Sequence, residues 1–395
     1  MNTIDQVTPQ SAGALTFSPD GVLFVGDSKL GAVFAFETDR GQTPASLDPF
    51  LFESIDEKIA VALGVTAKSL VFNGMAVHPV TREPYLSVGV RNADRLEPAV
   101  VRVSLAGEVR PFQLSSSEVT VHRLSDVPDE GKTFKSRAGI FPLPPAAFFE
   151  DKARTPLRSM TIVDLKFHAG EVFVAGVSNQ EFSSTLRRIP YPFTGAASET
   201  QLEIYHVAHG EYETRAPIRA MQFADIDGED TLIAAYACSP LVTIPVSELK
   251  QGAQVRGKTI GDMGNGQPIS MVAYRDGEGD KLFITNVGRG PMVVPLSGIR
   301  SAEGFTPENR PAPGPMLDQS PFMPAGPVGK QVLLVGSSLR ADLFSDRFFV
   351  SLTRYADTGD LTLETLMVAP MPARLDKIWV EMDFPGAESP YKLSA

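Results

Sequence analysis

The stretch YHVAHGEYETR, which begins at Tyr205, carries four side chains that can bind a metal ion. It places His206, His209, Glu211 and Glu213 within eight residues. Imidazole nitrogens and carboxylate oxygens are ligands for zinc and other transition metals. The stretch is therefore one candidate metal site, with His206, His209 and Glu211 as ligands. The alternative is that these side chains hydrogen bond to one another and only anchor a loop.

The sequence lacks the patterns of several common reactions. The nearest match to a GxSxG nucleophile elbow, VGSSLR from Val335, has no second glycine, so Ser-His-Asp hydrolysis has no support. Phosphate-binding GxGxxG and GxxxxGK[ST] patterns are absent, which disfavours nucleotide cofactors. DIDGED from Asp225 begins like a calcium loop, but Ala234 stands where that loop needs a glutamate, and a turn is favoured.

A hairpin of two short strands recurs along the chain and must position any site. Its copies begin at Ala14, Gly74, Asp164, Ala220, Met271 and, more weakly, Leu343. A third β-rich segment follows each copy, and a spacing of about 50 residues with variable excess fits four-stranded blades with loop insertions. The sequence predicts an all-β fold: a single β-propeller of six or seven blades over 1–395, closed by pairing of the chain's two ends.

Long insertions interrupt this repeat at about 50–70, 107–160 and 300–330, and the best helical candidate starts at Ser54. In a propeller, the first strand of each blade runs along the central channel from one face, here called the top, to the bottom face. The second strand returns to the top. We assign these insertions and the loop 206–217 to the top face because they enter first strands or leave second strands. We expect the functional site on that face, because long loops on a rigid scaffold commonly carry function.

Polar residues at the starts of first strands and the ends of second strands should surround the channel mouth on the top face. Arginine is frequent among them, and its guanidinium group suits carboxylate or phosphate. The predicted ligand-binding residues are Asp27, Arg91, Asn179, Arg219, Asn286 and Arg289. The alternative is that they only solvate the channel ends. His78 precedes a bottom turn and is predicted to be a hairpin residue.

The segments SPDGVLFVGDS from Ser18 and NGMAVHP from Asn73 resemble hairpins of the propeller superfamily that includes the gluconolactonase/senescence-marker-protein, strictosidine-synthase-like and NHL families. In gluconolactonase-like enzymes, a Glu, an Asn in an NG motif and an Asp hold a divalent metal at the channel mouth. The resemblance implies Asn73 and Asp164 as metal ligands here, although SAGALTF before the first hairpin contains no glutamate. Otherwise, Asn73 only begins a strand. We expect Asn73, Asp164, Arg219 and Asn286 to converge on one cavity.

Composition limits the partners and the compartment. The chain has 36 Lys and Arg against 47 Asp and Glu, without a basic cluster, which argues against nucleic acid and anionic lipid. No apolar run approaches the ~18 residues of a spanning helix, and no export signal begins the chain. We expect a soluble protein, cytoplasmic as given, or periplasmic or secreted if a signal peptide was removed. Cys238, the single cysteine, excludes an internal disulfide and is expected to be inert.

Two functions follow from these observations. The first is a monomeric binding propeller whose top-face site holds a small anionic molecule or a protein. The alternative is a metal-dependent hydrolase or lactonase of gluconolactonase-like type, with calcium or zinc as its cofactor. The lack of a complete catalytic set favours the first, and the sequence leaves open whether the protein is an enzyme.

Overall fold

A computed structural model of the chain describes the following residues: 8–93, 95–115, 119–135, 154–207, 209–237, 240–263, 268–286, 290–310, 326, 330–331, 336–355 and 357–368. Within them the chain forms six sheets around a central channel, so the fold is a six-bladed β-propeller. Two helices, α1 (Ile55–Leu63) and α2 (Leu296–Arg300), flank the sheets. No helix in these ranges is long and apolar enough to cross a bilayer.

The first third of the chain supplies strands to three blades. Its strands are β1 (Leu15–Phe17), β2 (Leu23–Asp27), β3 (Ala32–Phe36), β4 (Leu51–Phe52), β5 (Leu70–Val77), β6 (Pro84–Asn92), β7 (Arg95–Val103), β8 (Val109–Phe112) and β9 (Thr120–Arg123). The first blade has the order β1-β2-β3-β9, and the second has the order β5-β6-β7-β8.

The middle of the chain forms a short ribbon and two blades. Its strands are β10 (Thr133–Lys135), β11 (Arg154–Pro156), β12 (Asp164–His168), β13 (Glu171–Val177), β14 (Ser184–Pro190), β15 (Ser198–His206), β16 (Glu211–Glu213), β17 (Ile218–Ile226), β18 (Glu229–Tyr236), β19 (Pro240–Pro245), β20 (Gln254–Arg256) and β21 (Lys258–Asp262). The third blade is β12-β13-β14-β15, extended by β16 and β20, and the fourth is β17-β18-β19-β21.

The last part completes the propeller. Its strands are β22 (Pro268–Asp276), β23 (Gly279–Asn286), β24 (Met292–Pro295), β25 (Lys330–Gln331), β26 (Gly336–Leu343), β27 (Phe348–Tyr355) and β28 (Leu361–Met367). The fifth blade is β22-β23-β24-β25. The sixth is β26-β27-β28 with β4 as its outer strand, so segments near the two ends of the chain close the ring.

The second strand of each blade is buried because neighbouring blades cover both of its faces. Leu23, Phe24 and Val25 of β2 are all 0% exposed. Glycine occurs in these strands where the neighbour comes too close for a side chain. A Cβ atom at Gly176 would lie 2.0 Å from the carbonyl oxygen of Thr161. The close approach of the segment that leads into β12 of the same blade therefore explains the glycine at this position of β13.

The blades do not follow one another around the channel in sequence order. The inner strand β1 packs between β5 and β12, so the second blade lies between the sixth and the first. After β8 the chain crosses to the first blade and adds β9 as its outer strand. The insertions 50–70 and 107–160 therefore contain blade strands, and α1 begins one residue after Ser54, as predicted.

The described start of the insertion 300–330, up to residue 310, differs from its predicted place on the top face. Strand β24 ends at Pro295, which pairs with Lys281 next to the bottom turn of the fifth blade. The chain therefore leaves this blade at the bottom face. It then runs beside β21, where the backbone N–H of Phe305 donates to the carbonyl of Thr259 at 2.7 Å. The prediction failed because this segment joins the third and fourth strands of its blade, which meet at the bottom.

Candidate functional site

Among the described residues, two cavities lie along the central channel. The upper cavity, about 540 Å³, is lined by strand-start residues that include Asn73 and Arg219. The lower cavity, about 410 Å³, extends to the bottom turns and is lined by Asp164 among others. Arg340 and Ala14 line both cavities, so Arg340 lies between them.

Arg340 is held by backbone carbonyls of two other blades. Its Nη1 donates to the carbonyl of Ile269 at 2.6 Å, and its Nη2 donates to the carbonyl of Asn73 at 2.6 Å. Both carbonyls lie where the pairing register shifts in an inner strand, and such shifts free backbone groups from the ladder. Burial lowers the pKa of Arg340 to about 10, opposed by the Asp164 carboxylate. The guanidinium is therefore still charged at neutral pH.

Arg219 lies in another such register shift, between Ile218 and Ala220, and its side chain is half-buried. Within the described part of the chain, its guanidinium has no hydrogen bond and no ion pair. Burial lowers the pKa of Arg219, and the nearby Asp164 carboxylate opposes that shift. Arg219 thus brings a positive charge to the upper cavity, and the carboxylate that acts on it, Asp164, lines the lower cavity.

The upper cavity is lined by cations without carboxylates. None of its described lining residues is Asp or Glu. Its cationic lining residues are Lys29, Arg158, Arg219 and Arg340. Arg158 donates to carbonyls, from Nε to Pro128 at 2.6 Å and from Nη1 to Lys29 at 3.3 Å. Its charge, like that of Arg340, is not neutralised by these bonds. Anions should therefore be attracted to this cavity.

Asp164 links two blades. Its Oδ1 accepts from the backbone N–H of Leu165 at 3.0 Å, and its Oδ2 accepts from that of Met221 at 2.9 Å. Asp342 repeats this geometry in the sixth blade, where it accepts from Leu343 and Val77, both at 2.8 Å. Burial raises the pKa of Asp164, while Lys166 and Arg340 oppose the shift. The repeated geometry indicates a structural role for both carboxylates.

Asn73 and Asn286 occupy different surroundings. The Nδ2 of Asn73 donates to the carbonyl of Ala12 at 2.8 Å and so joins the second blade to the first beside the upper cavity. Asn286 is buried and donates to the carbonyl of Ile284 in its own strand at 3.1 Å. Of the four residues expected to converge, Asn73 and Arg219 line the upper cavity, Asp164 lines the lower one, and Asn286 lies outside the lining residues of both.

The other predicted ligand-binding residues lie away from these cavities. Asp27 is buried and accepts from the N–H of Gln10 at 2.6 Å, which ties down the start of the described chain. Asn179 accepts from Nζ of Lys132 at 2.8 Å and so holds part of the insertion after β9. Arg91 is exposed at the end of β6, and Arg289 lies outside the described residues, as does Cys238.

The sequence reasoning missed Arg340, Lys29 and Arg158. The sixth repeat copy was aligned from Leu343, which is the last residue of β26, so the inner strand before it was overlooked. An arginine within GSSLRADL, an inner-strand segment, was the available signal. Lys29 and Arg158 gave none, because their approach to the channel depends on contacts between distant segments.

The structure brings His206 and His209 together with Glu213 rather than with Glu211. The Oε1 atom of Glu213 lies 2.8 Å from Nδ1 of His206 and 2.5 Å from Nδ1 of His209. Burial would raise the pKa of Glu213, but hydrogen bonds to the two histidines outweigh it and lower the pKa to about 2. Glu211 is exposed and lies outside this group, in which Glu213 takes the place predicted for Glu211.

Comparison with known proteins gives the fold no family name. No protein-family model and no curated protein matches the chain. A virginiamycin B lyase structure from Staphylococcus aureus is similar at 10% identity and a TM-score of 0.33, over 90% of this chain and 95% of that one. A glucose dehydrogenase is similar at 14% identity and a TM-score of 0.34, over 90% and 96%. Raptor from Chaetomium thermophilum has 10% identity and a TM-score of 0.35, over 92% and 28%. These values are too low to support an argument, and the propeller assignment rests on the strand topology.

Proposed function

We propose that this propeller binds a small anionic molecule in its upper cavity. The observation that supports the proposal is the charge of the cavity wall: four cationic side chains and no acidic one among the described lining residues. The whole chain has a formal net charge of -11. The charge of the cavity wall is therefore opposite in sign to the net charge of the chain, as expected for a site that selects anions.

The cavity wall indicates the chemical class of the ligand. Arg219 has donors available for a carboxylate or phosphate group, since it has no partner in the described chain. Phe72, Leu96 and Met160 line the same cavity and would pack against an apolar part of the ligand. Lys29 is exposed and would attract the anion from solvent. A small carboxylate or phosphate with an apolar portion fits this set best.

The hydrolase alternative requires a divalent metal beside Asn73 and Asp164. Both carboxylate oxygens of Asp164 already accept backbone N–H groups. The charges of Arg219 and Arg340 are close enough to act on Asp164 and would repel a metal cation there. These contacts favour an anion over a cation at the channel centre, and binding is the function that we propose.

A panel of paired ligands tests this proposal. Carboxylates and phosphates that carry a short apolar group are compared with their neutral amides and alcohols by thermal shift. We expect at least one anion to raise the melting temperature while its neutral counterpart does not, because only the native state presents the cationic cavity. Equal shifts from charged and neutral members of every pair, or no shift from any anion, would contradict the proposal.

A further inference from the structure

A second polar cluster lies apart from the channel, on the hairpin formed by β15 and β16 of the third blade. His206 ends β15, Glu213 ends β16, and His209 lies in the turn between them. His206 is 0% exposed at its side chain, while His209 and Glu213 are 28% and 21% exposed. The cluster is therefore open to solvent on one side and closed by the blade on the other.

The donor atoms have the separations of a small coordination shell. One ligand atom from each of the three residues lies within 4.8 Å of the others. Ligand atoms around a tetrahedral zinc ion, with bonds of about 2.0–2.1 Å, lie about 3.3 Å from one another. The Glu213 oxygen is already 2.8 Å from Nδ1 of His206 and 2.5 Å from Nδ1 of His209. Movements of less than about 1 Å along these two contacts would give tetrahedral spacing.

A buried carboxylate stands behind His206. The Oδ2 atom of Asp262, at the end of β21 in the fourth blade, lies 3.9 Å from Nε2 of His206. That Nε2 atom is buried and has no hydrogen-bond partner among the described residues. Metal-binding histidines commonly direct one ring nitrogen to the ion and donate the other N–H to a carboxylate, which fixes the ring. In His206, Nδ1 faces the cluster and Nε2 faces Asp262, at a distance about 1 Å longer than a hydrogen bond.

We propose that His206 Nδ1, His209 Nδ1 and Glu213 bind one divalent transition-metal ion, zinc above all, and that Asp262 orients His206. Two imidazoles and one carboxylate favour zinc over calcium or magnesium, which prefer all-oxygen sites. Three protein ligands leave a fourth position for water or another group. The ion would fasten the turn of the hairpin to the third blade, next to the fourth.

Zinc titration of the chelator-treated full chain tests this site, with bound zinc counted by elemental analysis after dialysis. We expect one zinc ion per chain. Glu213→Gln should lower the affinity for zinc at least about tenfold, because a charged ligand is lost. Glu211→Gln is the matched control on the same strand, and its affinity should not change. Asp262→Asn should weaken binding about 10- to 100-fold without removing a ligand.

Three results would overturn the assignment. They are the lack of stoichiometric zinc on the wild-type chain, equal affinity in Glu213→Gln and Glu211→Gln, and stronger binding of calcium than of zinc. If Glu213→Gln does not fold, by circular dichroism, His209→Ala replaces it, since His209 is the most exposed of the three residues. Unchanged zinc affinity in a folded His209→Ala variant would also overturn the assignment.

Discussion

Replacing Arg340 tests whether the residue between the two cavities also joins the blades. Arg340→Met keeps an apolar side chain of similar length but removes both 2.6 Å hydrogen bonds to the carbonyls of Asn73 and Ile269. Hydrogen bonds from charged donors contribute about 1.5–3 kcal/mol each, so the gross loss is about 3–6 kcal/mol. These bonds connect the sixth blade to the second and the fifth.

Two effects reduce the net loss of stability. The cavities on either side of Arg340 can admit water, which would bond to the freed carbonyls. Burial lowers the pKa of Arg340 to about 10, so removing this cation also relieves a desolvation cost. We therefore expect Arg340→Met to lower the free energy of unfolding by about 2–4 kcal/mol.

Urea denaturation, followed by circular dichroism, measures this change. The urea concentration at the midpoint of unfolding should fall. The slope of the free energy of unfolding against urea concentration should stay the same, since the surface exposed on unfolding changes little. Arg91→Met is the control, because Arg91 is exposed, and it should change the free energy of unfolding by no more than about 0.5 kcal/mol. If Arg340→Met unfolds at the same urea concentration as Arg91→Met, our account of Arg340 is wrong.

Two further substitutions test the close packing of a second strand and the role of a bottom turn. Gly176→Ala should lower the free energy of unfolding by about 1–3 kcal/mol or more, because its Cβ would meet the Thr161 carbonyl at 2.0 Å. Gly277→Ala is the control: a Cβ there would have nothing within 4 Å, so this variant should be nearly neutral in the same urea assay. Burial lowers the pKa of His78 below 6.5, so the folded protein should lose stability as pH falls below 6.5. His78→Asn should reduce that loss, which is measured by thermal unfolding at a series of pH values. An equal loss in both proteins would exclude His78 as its source.

The repeated hairpins could be predicted from the sequence because their signal is local. Alternating β-formers, followed by Gly, Asp or Pro at a turn, identify two adjacent strands without knowledge of the rest of the chain. All six second strands occur where the repeat placed them, and Gly26, Gly89, Gly176, Tyr236, Asn286 and Leu352 each lie within one. The single propeller followed from their number and spacing.

The order of the blades could not be predicted, because it depends on strands that pair over long distances in sequence. Strand β4 pairs with β28, and β9 pairs with β3, although all the strands of the second blade lie between β3 and β9 in the sequence. Neither strand belongs to a recurring hairpin, and β4 has only two residues. Their hydrophobic patterns are too short to indicate a partner.

The candidate site was predicted only in part. Arg219 could be placed at the channel because it begins a recognisable hairpin, but Arg340 lay in the unaligned inner strand of the weakest copy. The choice between Glu211 and Glu213 depends on the register of a hairpin, which three-residue strands such as β16 do not specify in sequence. Asn286 follows the same strand-end rule as the other rim residues, yet it bonds within its own blade.

Calorimetric titration of the Arg219→Met variant tests the central proposal most directly. The ligand is the anion that most stabilises the wild-type chain in the paired panel, and Arg91→Met is the matched control. We expect Arg219→Met to bind this anion about 10- to 100-fold more weakly, since it loses one charge-assisted contact of about 1.5–3 kcal/mol, while Arg91→Met binds like the wild type. Equal affinity in all three proteins would contradict the assignment of the upper cavity as an anion-binding site.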